Sequence, residues 1–172
     1  MVDVAETHPG HIIRYGKGVQ LLQSLLGGKR RNPTADPTKV YWFYGPTGTG
    51  KSRTAFDMFP DAYVKMGTNK WWDGYEQQEC VIVDDYRRDL CTFAELLRLF
   101  DRYPMRVECK GASIEFCSKV IIITTPKDPR STWEGQTEEA IGQLLRRIYE
   151  VRHFPGEPEV PALFVPGFVP PV

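Results

Sequence analysis

The string Gly45-Pro46-Thr47-Gly48-Thr49-Gly50-Lys51-Ser52 follows the apolar run Val40-Tyr41-Trp42-Phe43-Tyr44 directly and fits G-x-x-x-x-G-K-[ST] with no mismatch. A strand feeding a glycine-rich loop that opens a helix leaves a chain few architectures. The loop passes through positive φ, which glycine adopts at little steric cost. The first amides of the following helix have no partners within it. They converge on one point and suit the oxygens of a triphosphate. In that arrangement Lys51 reaches the β- and γ-phosphates and the Ser52 hydroxyl binds Mg²⁺.

A second apolar run, Cys80-Val81-Ile82-Val83, ends in Asp84-Asp85. A strand parallel to the loop strand can deliver carboxylates to the same site, one to hold Mg²⁺ and one to polarise an attacking water. Asp84 is assigned to the metal and Asp85 to the water.

Further apolar or β-branched runs at 62–65, 120–124 and 148–151 read as buried strands, with helical patterns between several of them. Thr92-Phe93-Ala94-Glu95 is a capping box, with Phe93, Leu96, Leu97 and Phe100 forming one face of its helix. Thr137 caps another helix, with Glu138 and Glu139 in its first turn and Arg146-Arg147 in its last. The alternation predicts an α/β fold around a mostly parallel five-stranded sheet flanked by helices. One stretch breaks the alternation: residues 105–109 and 112–116 read as a hairpin around Lys110-Gly111.

The 172 residues, 41% hydrophobic, suit one compact domain with appendages. Segments 1–32, 33–154 and 155–172 are expected to be a helical segment with a basic linker, the core domain and a Pro-rich tail. Apolar residues recur at helical spacing over 11–26, before Gly27-Gly28, and Lys29-Arg30-Arg31 begins the linker. Equal numbers of basic and acidic residues, 22 each, require any nucleic-acid surface to be local. The four cysteines form no C-x-x-C pair, so reduced thiols in an intracellular compartment are expected. His8 and His11 lack the partners of a zinc site, no signal peptide is visible, and no apolar stretch is long enough to cross a membrane.

Beyond the two nucleotide motifs, Lys70-Trp71-Trp72-Asp73-Gly74-Tyr75, the sequence from Leu97 to Pro104 (with Asp101-Arg102-Tyr103-Pro104), Glu108-Cys109-Lys110-Gly111 and Arg146-Arg147-Ile148 occur in order. Together they resemble the superfamily 3 helicase domain, an AAA+-like P-loop NTPase, of replication initiator (Rep) proteins from circovirus-like single-stranded DNA viruses. The resemblance spans about residues 40–154, and residues 1–31 resemble the small helical collar that holds such rings together.

The resemblance implies a homo-hexamer that hydrolyses ATP with Mg²⁺ at subunit interfaces and moves on single-stranded DNA, typically 3′ to 5′, in rolling-circle replication in the host nucleus. Arg146 or Arg147 would reach a neighbour's γ-phosphate. Lys110 and Gly111, at the hairpin tip, would meet DNA in the pore, where a lysine contacts phosphate without reading sequence. Trp71 and Trp72 are left out of the DNA site because packing explains at least one of them.

One position departs from the family pattern. After Ile121-Ile122-Ile123-Thr124-Thr125 stands Pro126, where the family places a water-positioning Asn. Proline offers no amide, and Thr125 or Thr124 is expected to substitute through its hydroxyl. No His-hydrophobe-His motif occurs, so the upstream origin-nicking nuclease domain of these proteins is expected to be absent from this chain. Two other readings remain open: a viral RNA helicase of the same superfamily, and a non-catalytic assembly module locked by nucleotide.

Overall fold

The computed structural model describes residues 29–34, 37–66 and 70–156, together with Thr7, Gly10, Arg14, Tyr15 and Gly18 individually. Of the helix expected over 11–26, Arg14, Tyr15 and Gly18 are helical; the rest of that segment and the tail from residue 157 lie outside the described residues.

Within the described residues from 39 to 153, seven strands and four helices follow in order: β1 (Lys39–Tyr44), α1 (Lys51–Met58), β2 (Tyr63–Met66), β3 (Cys80–Asp84), α2 (Phe93–Phe100), β4 (Met105–Cys109), β5 (Ala112–Phe116), β6 (Val120–Thr125), α3 (Pro129–Thr132), α4 (Glu138–Leu145) and β7 (Glu150–His153). Five strands form one sheet in the order β2-β3-β6-β1-β7, and every pairing in it is parallel. Because all five strands run the same way, the ends of β1, β3 and β6 lie along one edge. The phosphate loop and the acids therefore share that edge.

The central strands are apolar over most of their length because both sheet faces are covered, and β3 and β6 turn polar only at their ends, at Asp84 and at Thr124-Thr125. On one face Phe43, Ile82 and Ile122 pack with Ala55 of α1. On the other, Trp42, Val81, Val83, Ile121 and Ile123 meet Leu96, Leu99 and Phe100 of α2 and Ile141 and Leu144 of α4. Each valine, leucine, isoleucine or phenylalanine among them contributes about 1.5–3 kcal/mol when fully buried.

The α2 capping box forms as its sequence predicts, with Thr92 accepting from the Glu95 amide and Glu95 accepting from Thr92. The buried face of α2 is wider than predicted. Leu96, Leu99 and Phe100 are buried, while Phe93 and Leu97 are half-buried against the same cluster.

Strand β7 starts two residues later than its apolar run suggests. The Arg147 and Ile148 amides still donate to Leu144 and Leu145 carbonyls, at 3.0 and 3.1 Å, and the chain reaches β1 only when the Tyr149 amide meets the Val40 carbonyl. The same tight turn means that α4 ends at Leu145. Arg146 is its C-cap and Arg147 lies beyond, so neither arginine is in the last turn as predicted.

The basic linker is also less solvated than its composition suggests. Arg31 is 8% exposed. Its guanidinium lies 4.4 Å from the Phe116 ring centre and donates to the Leu99 carbonyl at 2.7 Å. Burial lowers its pKa to about 10. Gln77 accepts from the Lys29 amide at 3.1 Å and donates to the Lys29 carbonyl at 2.8 Å, fixing the linker to the domain.

Candidate functional site

The loop between β1 and α1 depends on glycine at specific points. Gly45 has φ +144°, and a Cβ there would collide with the Phe154 carbonyl oxygen. Gly50 caps α1 in the left-handed region at φ 86°, with no side-chain cap bond. The first amides of α1 therefore face the loop without a competing side-chain acceptor, as an anion cradle requires. Lys51 Nζ donates to the carbonyl oxygens of Gly45 at 2.8 Å and Pro46 at 2.6 Å. Burial lowers the Lys51 pKa; Asp85 and Asp84 pull against that shift, while Arg87 adds to it.

Ser52 supplies the link to the acids. Its Oγ donates to Asp84 Oδ1 at 2.6 Å, and Thr124 Oγ1 donates to the same oxygen at 2.7 Å. The Asp85 amide donates back to Thr124 Oγ1 at 2.9 Å. Strand β3 is not beside β1; β6 lies between them. Thr124 at the end of β6 bridges that gap. A hydroxyl beside a carboxylate fits Mg²⁺, which binds through one or two protein oxygens and fills its shell with phosphate and water.

Asp85 is at the same edge but turned outward, with φ 50° and a 70% exposed side chain paired to Arg87 at 2.8 Å. Thr125, expected to substitute for the missing Asn, points elsewhere. It is buried, and its hydroxyl donates to the Tyr86 carbonyl at 3.0 Å. Adjacent strand residues face opposite sides of a sheet, so only one of the two threonines can meet Asp84. That residue is Thr124. Pro126 follows immediately, half-buried.

The two arginines separate in the same way. Arg147 donates through Nη2 and Nε to Asp101 Oδ2 at 2.9 and 3.3 Å, and through Nη1 to the Gln143 carbonyl at 2.7 Å. Burial raises the Asp101 pKa, but bonds from Arg147 and the Arg102 amide outweigh it and leave the carboxyl below its ordinary value. Arg147 is thus held by its own chain. Arg146 is exposed and forms no ion pair among the described residues. Both arginines line an open cleft of about 650 Å³ with Lys39, Arg102 and Tyr149. Lys39 begins β1, whereas the phosphate loop follows the end of that strand. A strand of this length spans about 20 Å, which separates Arg146 from its own loop.

The hairpin of β4 and β5 is a separate two-stranded sheet. Val107 and Phe116 anchor its base in the core. Lys110 and Gly111 form the turn, with Gly111 at φ 83°, and the Lys110 side chain is 73% exposed. Asp73 accepts from the Lys110 amide at 2.8 Å and lies 3.6 Å from Nζ. The Trp72 amide donates to the Glu108 carbonyl at 2.8 Å. Trp72 itself is 5% exposed, packed among Tyr63, Tyr75 and Phe116. The Lys-Trp-Trp-Asp-Gly-Tyr string therefore braces the hairpin. Sequence reasoning missed that role, as it missed the part of Asp101, because neither partner is near in sequence.

The RNA helicase family matches residues 41–127, half of the chain, from the loop strand to just beyond β6. The chain is 44% identical over 151 residues to the replication-associated protein of beak and feather disease virus, covering 88% of this chain and 50% of that protein. It is 41% identical over 148 residues to the replication-associated protein of pigeon circovirus, covering 86% and 45%. For that of porcine circovirus 2 the identity is 38% over 151 residues, covering 86% and 47%. The chain spans about half the length of these curated relatives. The matched region contains the phosphate loop, both acids, Thr124 and the braced hairpin, and the chain belongs to the RNA helicase family, as a superfamily 3 helicase domain similar to those of circovirus replication-associated proteins.

Proposed function

We propose that this domain is the ATP-driven DNA helicase motor of a viral replication initiator, working as a homo-hexamer on single-stranded DNA in the host nucleus, 3′ to 5′, during rolling-circle replication. The observation that carries the reading is the convergence of Ser52 and Thr124 on one oxygen of Asp84 beside the loop that ends in Lys51. The loop amides and Lys51 hold the triphosphate. Ser52 and Asp84 hold Mg²⁺, which when bound neutralises charge on the phosphates. Thr124 orients Asp84, and Asp85 takes the proton of the attacking water. Arg146 acts on the nucleotide of the next subunit, its distance from its own loop favouring that direction. Lys110 meets a DNA phosphate at the tip of the braced hairpin.

Single-stranded DNA is expected to stimulate ATP turnover, measured as phosphate release. Turnover that is absent from purified protein in every condition would instead favour a nucleotide-locked assembly module, which Pro126 motivates. Membership of the RNA helicase family favours one second reading, with RNA as the track. Stimulation by poly-U above that by poly-dT would select it. Lys110→Ala is expected to weaken DNA binding and flatten its salt dependence, by about one unit of log–log slope for each phosphate no longer neutralised.

The two threonines give a sharper test of the site. Thr124→Val removes a donor to Asp84 and is expected to lower turnover about tenfold or more. Thr125→Val removes a buried bond to the Tyr86 carbonyl and is expected to cost about 1–3 kcal/mol of stability. Its turnover near wild type below the unfolding transition checks the assignment; the opposite pattern would return the role to Thr125.

A further inference from the structure

The acids fix which way a bound nucleotide must point. Ser52, Asp84 and Thr124 lie on the β6 and β3 side of the loop, so the terminal phosphate points that way. The sugar and base must leave on the opposite side, toward β7, the other neighbour of β1. There the chain places a flat surface. Tyr44, the last residue of β1, pairs in register with His153, the last of β7. Their rings stack with centres 4.8 Å apart and planes 25° from parallel. His153 is exposed and Tyr44 half-buried.

The strand that carries His153 is held tightly against the loop. The Phe154 amide donates to the Tyr44 carbonyl at 2.8 Å. The Phe154 carbonyl fills the space where Gly45 would have a Cβ, and a Cβ on Gly156 would lie 3.3 Å from the Pro46 ring. Loop and platform thus form one rigid edge. Tyr44 backs the imidazole and leaves its outer face to water.

We propose that the exposed face of His153, backed by Tyr44, seats the nucleobase of the triphosphate held by residues 45–52. The ligand class is a purine nucleotide, whose larger ring offers more stacking area than a pyrimidine. This assignment rests on the nucleotide-binding reading above and adds base recognition to it. Stacking is tolerant of ring substituents, so ATP and GTP are discriminated weakly and both are preferred over CTP and UTP.

The test compares ATP with inorganic tripolyphosphate, which has the phosphates but no base, on the full chain. His153→Ala is expected to raise the KM for ATP about tenfold, within the range of one base–aromatic stack, with a much smaller change in kcat. The inhibition constant of tripolyphosphate stays unchanged, and His153→Phe restores the KM. Equal weakening of ATP and tripolyphosphate would overturn the base seat, because the loop itself would have been disturbed. An unchanged KM in His153→Ala would overturn it too. If tripolyphosphate fails to compete with ATP on the wild-type protein, the nucleotide reading of the loop falls and this inference with it.

Discussion

Lys51→Ala is expected to reduce ATP turnover by at least about 10²–10³-fold, the scale on which a preorganised charge at a reacting centre acts. In the structure the ammonium is held by the Gly45 and Pro46 carbonyls at the mouth of the loop. It sits where the β- and γ-phosphates of a bound triphosphate would compete for it. Alanine removes both the positive charge and the reach. The folded state changes little, because Lys51 is only half-buried and its ammonium bonds only within its own loop. Thermal unfolding should therefore stay near wild type while phosphate release collapses. Turnover left unchanged by the substitution would remove the assignment of hydrolysis to this loop.

Arg146→Ala is expected to cost a further large factor, about 10³–10⁵ in kcat if the side chain serves as an arginine finger. ATP binding should be retained, since Arg146 lies at the opposite end of β1 from its own loop. Arg147→Ala should behave differently. It leaves the half-buried Asp101 carboxylate without its main partner and the Gln143 carbonyl without a donor, so its chief effect is a lower unfolding temperature. Mixing subunits decides whether the finger works across an interface. Arg146→Ala and Lys51→Ala chains are each inactive alone. Together they form some interfaces with an intact Lys51 from one chain and an intact Arg146 from the other. Partial recovery of turnover on mixing supports action in trans, and no recovery at any ratio rules it out.

Much of this site was legible in the sequence because its parts are local. Residues 45–52 encode the loop through glycines placed where φ is positive and a lysine and serine at fixed offsets. Thr92 with Glu95 encodes the start of α2, and Lys110-Gly111 encodes a two-residue turn. Each depends on neighbours within a few positions, so the pattern is complete in one short window. The strand cores were equally clear, since sheets covered on both faces require continuous apolar runs.

Choices between adjacent residues were not legible. Thr124 and Thr125 are chemically alike, and only the pleat of β6 turns one toward Asp84 and the other toward Tyr86. Arg146 and Arg147 are both basic residues at a helix end, and only the approach of Asp101, 46 positions away, separates an anchored side chain from an exposed one. Arg31 stands in a basic linker by sequence, and only the fold brings Phe116 and the Leu99 carbonyl to it.

The sequence by itself determined the elements, the phosphate loop and the set of charged groups, because backbone conformation and hydrophobic periodicity act over short range. The tertiary structure alone decided which of those groups meet. Strand order puts β6 between the loop and the acids, makes Thr124 the bridge and sets His153 beside Tyr44, while the parallel direction of the strands sends Arg146 to the far end of the sheet. Such contacts depend on the packing of segments distant along the chain, and no short window contains both partners.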